Sequence, residues 1–142
     1  MSAAPLPTRD ELSAFLLREF PQTRCTIESV SDGEALIRHA VGTPELRPGG
    51  TVSGPVMMAA VDVALYVALL GRIGIVPLAV TTDLTIHFLR KPRGDRDILA
   101  AGRLLKCGRT LAIGEVTIYS EGSDEPVAHA VGTYAIPPRT GA

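Results

Sequence analysis

The longest apolar run in the chain lies between Val56 and Leu70, where Met57, Met58, Val61, Val63, Leu65, Val67, Leu69 and Leu70 are padded by four alanines. Pro55 near the start and Gly71 at the end match the start and stop preferences of a helix, which predicts one over about residues 55–71. A helix apolar on every side is predicted to be buried all round. Its stretch of about 15 apolar residues, interrupted by Asp62, falls short of the roughly 20 that a membrane span needs, so it is expected to form a core.

Downstream the pattern changes to β character. Residues 78–91 carry Val80, Leu84, Ile86 and Phe88, and strands are predicted over 98–106, 110–120 and 127–136. Turns are expected at Arg93-Gly94-Asp95, Cys107-Gly108-Arg109 and Glu121-Gly122-Ser123, so these four strands are predicted to form an antiparallel meander. Upstream, Thr8 and Glu11 form a capping-box pattern before Leu12, Phe15 and Leu16, predicting a helix over 9–20. Strands over 23–30 and 34–41 flank Ser31-Asp32-Gly33, a hairpin signal, and residues 41–48 read as a loop. The sum is an α+β domain spanning 1–142, with a curved antiparallel sheet wrapped around a central apolar helix.

Composition narrows the function. A net charge of −1 and 4% aromatic residues provide neither the basic surplus nor the stacking surface of a nucleic-acid binder. Cys25 and Cys107 have no spacing that signals a zinc site or a disulfide framework, so no metal or cofactor is expected and a reducing compartment is the simple reading. The segment from Met1 to Ala14 lacks an apolar leader core and carries Arg9, Asp10 and Glu11, which points to a cytoplasmic location.

Asp62 is the residue that needs explaining. A carboxylate in an apolar helix must be paired, hydrogen-bonded or placed at a wet cleft, either as a structural partner or as a base or nucleophile. The segment Pro48-Gly49-Gly50-Thr51-Val52-Ser53-Gly54-Pro55 leads into the same helix, where open backbone N–H groups at its positive end suit a carbonyl oxygen. The plainer alternative is a loop with Ser53 as the capping hydroxyl. Gly54 and Asp62 are eight positions apart, about 12 Å along a helix, so they cannot both reach one carbonyl. If both act in one reaction, each comes from a different subunit, and a homodimer with two equivalent sites is predicted.

Gly49 to Ala64, then Ala79 to Pro92, then Gly108-Arg109, resemble the hotdog-fold acyl-CoA thioesterases, particularly the phenylacetate-pathway and hydroxybenzoyl-CoA type. The likeness covers almost the whole chain after residue 23. The resemblance implies that Gly54 offers its amide to a thioester carbonyl and that Asp62 of the other subunit does the chemistry. Ser53 and Pro55 stand where the family has the His and the second Gly of a His-Gly-Gly motif.

Alternation along 82–88 puts Asp83, Thr85 and His87 on one face and Thr82 with Leu84, Ile86 and Phe88 on the helix side. The resemblance places this strand near the dimer seam and acyl pocket, so Thr82 and Asp83 join Ser53 and Pro55 as substrate-binding candidates. Arg90, Lys91, Arg93 and Arg96 cluster where the strand ends, either as a solvated turn offset by Asp95 and Asp97 or as guanidinium and ammonium contacts to coenzyme A phosphates. The resemblance favours Arg90 and Lys91 for that role. His87 could serve as an acid or base, but a lone histidine on a strand is more often a partly exposed or structurally bonded residue, and His39 and His129 have no company that raises them above that reading.

The leading expectation is hydrolysis of an acyl-CoA thioester. The alternative is a non-catalytic acyl-CoA binding or sensing module, and a hydratase ranks last because no acid–His pair lies near the helix. The acyl group is left open, since pocket length depends on how Met57, Met58 and Tyr66 pack. Dimers pairing into tetramers are equally open.

Overall fold

The computed structural model describes residues 5–138. Its elements in chain order are α1 (Arg9–Glu19), β1 (Cys25–Ser31), β2 (Glu34–His39), α2 (Gly54–Ile73), β3 (Val80–Phe88), β4 (Ile98–Cys107), β5 (Leu111–Ser120) and β6 (Ala128–Ala135). The α1 capping box forms as expected: Glu11 N–H donates to Thr8 Oγ1 at 3.1 Å, and Thr8 N–H donates to the Glu11 carboxylate at 3.0 Å. Leu12, Phe15 and Leu16 then turn one side of α1 into the core.

The strands form one antiparallel sheet in the order β1-β2-β4-β5-β6-β3. The predicted four-strand meander is therefore corrected: β4, β5 and β6 follow one another, but β3 pairs with β6 and lies at the edge. The reason is the connection between β3 and β4. Residues 89–97 form a crossover, with Leu89 and Arg90 N–H donating to Val127 O and Arg93 N–H donating to Ser120 Oγ. Arg93-Gly94-Asp95 is a bend within that strap, and a Cβ on Gly94 would come within 2.1 Å of Gly50 O.

The sheet curls around α2, the hotdog arrangement that the resemblance implies. Gly114 and Gly132 face each other on β5 and β6, and a Cβ on either would lie 2.7 or 2.6 Å from a Leu65 methyl. Their bareness lets the helix seat directly on the sheet. Val61, Ala64, Leu65, Ala68 and Leu69 are sealed there, each large one contributing about 1.5–3 kcal/mol by leaving water.

The expectation of a helix buried on all sides does not hold. Pro55, Met58 and Ala59 are exposed and Asp62 and Tyr66 are half-buried, because the sheet covers one face of α2 and leaves a stripe uncovered. At 20 residues α2 has the length and composition of a membrane span, but 61% of its most apolar 18-residue stretch is buried inside this fold.

Candidate active site

Asp62 projects from the uncovered stripe towards the start of β3. Its Oδ1 accepts from the Thr81 hydroxyl and, at 2.8 Å, from the Tyr134 hydroxyl, which also contacts the Asp62 carbonyl at 3.0 Å. Among the described residues Oδ2 takes no hydrogen bond. One carboxylate oxygen is thus anchored by two donors and the other is unpartnered among the described residues. Burial, reinforced by the Asp62 negative charge, pushes the Tyr134 phenol well above the ordinary tyrosine range, so it remains a proton donor.

Thr81 reaches Asp62 because β3 is irregular. The β3–β6 register shifts between Thr81 and Asp83, a bulge that rephases the strand. Thr82, predicted on the helix side, is instead exposed, its hydroxyl donating to Thr133 O at 3.3 Å. Asp83 is exposed on the outer side. From Asp83 to His87 the predicted alternation holds, with Leu84 and Ile86 half-buried and Thr85 and His87 exposed, whereas Phe88 is exposed. His87 lies opposite His129, which contacts Glu115 at 3.2 Å, so it belongs to the outer face.

Asp62 lines a cavity of about 370 Å³ with Phe15, Val63, Tyr66, Leu78 and Tyr134. Tyr66 stacks on Tyr134 with ring centroids 5.9 Å apart, and its hydroxyl donates to Pro77 O at 2.9 Å, fixing that wall. Burial, with the Glu19 charge nearby, raises the Tyr66 pKa as well.

Gly54 is the first residue of α2, and its N–H has no hydrogen-bond partner among the described residues. The Phe88 ring packs over it, with Cζ 3.3 Å from where a Cβ would stand. The preceding loop is a turn of its own: Gly50 N–H donates to Arg47 O, Arg47 N–H to Thr51 O, and Gly49 and Gly50 take positive φ of 99° and 80°. Those two glycines serve the turn, and the Gly50 amide is not open for a ligand. Ser53 occupies the N-cap position, but its hydroxyl makes no capping bond, and Pro55 follows Gly54 in the first turn.

Arg90 and Lys91 continue the chain just past Phe88. Arg90 donates to Pro126 O at 2.8 Å and lies 3.4 Å from Glu125, and both cations line a separate cavity of about 220 Å³ that shares no residue with the Asp62 cavity. No group of three or more metal-ligating side chains occurs among the described residues. Sequence reasoning missed Thr81 and Tyr134. Thr81 is hidden by the bulge, and Tyr134 is 72 residues from Asp62, within reach only through the β3–β6 pairing.

The thioesterase superfamily model matches residues 49–127. A crystal structure of a proposed thioesterase from Silicibacter sp. is similar at 46% identity, covering 95% of each chain, with a TM-score of 0.87. Zebrafish thioesterase superfamily member 2 is similar at 21% identity over 92% of this chain and 99% of that one, with a TM-score of 0.82. A hypothetical thioesterase from Streptococcus pneumoniae, solved with coenzyme A, is similar at 19% identity over 90% and 98%, with a TM-score of 0.75. The last two bear on the fold alone. No curated protein matches the chain at a significant level.

Proposed function

The chain belongs to the thioesterase superfamily, and from that premise we propose that it hydrolyses an acyl-CoA thioester to the free acid and coenzyme A. The observation that carries this reading is the half-engaged Asp62 carboxylate, with Oδ1 fixed by Thr81 and Tyr134 and Oδ2 free beside an apolar cavity. A carboxylate oriented in this way is equipped to take a proton from water or to attack a carbonyl. The unpartnered Gly54 N–H at a helix N-terminus supplies the complementary donor for a developing oxyanion.

The two groups act from different subunits in this proposal, since about 12 Å of helix separates them within one chain. The edge position of β3 and the exposed Met58, Val80 and Phe88 support a homodimer built on that side. Arg90 and Lys91, just beyond the residue that covers Gly54, are proposed to meet the coenzyme A phosphates. The cavity behind Asp62 then takes the acyl group, and its Phe, Tyr, Val and Leu lining suits an apolar or aromatic one.

The test is a panel of acyl-CoAs assayed with a thiol-reactive dye, alongside sedimentation of the purified protein. Thiol release by a dimer, abolished in Asp62→Asn, is the expected result. Silence across the panel, or undiminished release by Asp62→Asn, defeats hydrolysis. Tight binding without turnover selects the non-catalytic module, the reading that the Ser53-Gly54-Pro55 motif favours.

A further inference from the structure

We propose that His39 is a further functional residue of this site, holding the attacking water between its Nε2 and the free oxygen of Asp62. The inference rests on the hydrolytic reading above. His39 ends β2, opposite Cys25 of β1 and Ile98 of β4, and its side chain is 5% exposed. Its Nδ1 is 2.8 Å from Ala40 O. A carbonyl only accepts, so Nδ1 carries the hydrogen and Nε2 of the neutral ring presents a lone pair.

Among the described residues Nε2 has no partner, yet no buried side-chain nitrogen or oxygen is left without one. That atom is therefore not sealed off, and His39 lines a second cavity, about 300 Å³, together with Ala59, Asp62, Val63 and Phe20. Asp62, Val63 and Phe20 also line the larger cavity, so the carboxylate stands between the two.

Asp62, with a carboxylate oxygen free of hydrogen bonds, and His39, with an unpartnered imidazole nitrogen, thus line one small cavity. Arg24 lines it too, but its guanidinium is engaged 2.9 Å from the Glu45 carboxylate. A water molecule satisfies both acceptors with its two hydrogens and leaves its lone pairs directed away from them, towards a bound thioester. The charged and titratable groups facing His39 are Asp62 from α2, Arg24 and Cys25 at β1, and Asp97 ahead of β4.

In the step, the water oxygen bonds to the thioester carbon while one hydrogen passes as a proton to Asp62. When the C–S bond breaks, the sulfur keeps its electron pair, takes that proton and departs as the thiol. The second hydrogen stays on the new acid, held by His39, and leaves through the imidazole as the acid ionises. Thioester and water thus yield carboxylate, thiol and one proton.

The experiment compares wild type, His39→Asn and His39→Gln on the best acyl-CoA of the panel. Asparagine keeps an amide donor for Ala40 O but offers nothing at the Nε2 position, whereas glutamine places its amide there. Folded His39→Asn is expected to lose about 10²-fold in kcat with KM unchanged. His39→Gln is expected to recover part of the rate. Unchanged kcat in folded His39→Asn, or a change in KM alone, overturns the proposal. If His39→Asn does not fold, a folded His39→Ala with the wild-type kcat overturns it instead. No thiol release by the wild type would count against the hydrolytic reading rather than against His39.

Discussion

The two faces of α2 are built from similar residues and have different tasks. One face, with Val61, Ala64, Leu65 and Ala68, is sealed against the glycine pair of β5 and β6. The other, with Met58, Ala59, Asp62 and Tyr66 at spacings of three and four, is left open by its own sheet. Apolar composition is common to both, so hydrophobicity alone does not say which face the chain covers for itself. Stability is concentrated on the sealed face, and the groups capable of chemistry lie on the open one.

The sharpest way to break this division is to exchange the consequences of two substitutions. Asp62→Asn keeps an acceptor for Thr81 and Tyr134, so thiol release is expected to fall by about 10³-fold with little change in melting temperature. Leu65→Ala on the sealed face is expected to cost about 2–5 kcal/mol in urea unfolding while the protein that remains folded keeps its activity. If Asp62→Asn unfolds the protein, or Leu65→Ala leaves its stability intact, the division fails.

Tyr134 joins the two faces, and its effects are expected to be smaller. Tyr134→Phe removes one of the two donors to Oδ1 and should lower kcat by about 10-fold, in the range of one hydrogen bond to a charged group. It should also change the alkaline behaviour. The folded-state pKa of Tyr134 is raised, so above about pH 10 the unfolded chain gives up a proton that the folded chain keeps. Unfolding then releases a proton and stability falls as pH rises. Urea midpoints followed into the alkaline range should fall less steeply in Tyr134→Phe than in wild type. The smallest effect is expected at Met58, 41% exposed, where Met58→Gln should shift monomer stability by no more than about 0.5 kcal/mol while weakening self-association in sedimentation.

Much of this division was legible in the residues. The Thr8–Glu11 box, the Asp32-Gly33 turn and the Pro55 start of α2 are local signals with local physics, and each element formed within a few positions of its prediction. Asp62 stood out because a carboxylate in an apolar run demands a partner. The partners themselves were not legible. Tyr134 comes to Asp62 only through the pairing of β3 with β6, and the spacing of the β3–β4 segment suggested a turn where the chain in fact crosses the sheet end. His39 looked solitary because nothing near it in sequence shares its cavity; Ala59 and Asp62 approach from α2.

The bulge at Thr82 has a consequence for anyone comparing or redesigning such chains. Counting odd and even positions back from Phe88 assigns the inward hydroxyl to Thr82, whereas it belongs to Thr81. Deleting Thr82 would restore a regular zigzag in which Thr81 follows the phase of Leu84 and Ile86 and still pairs with Tyr134, so the inward hydroxyl would be kept while the strand lost its bulge. The spelling that orients the carboxylate is a skipped beat in the strand, and an ungapped alignment to a strand without that beat would pair the wrong threonine with its counterpart.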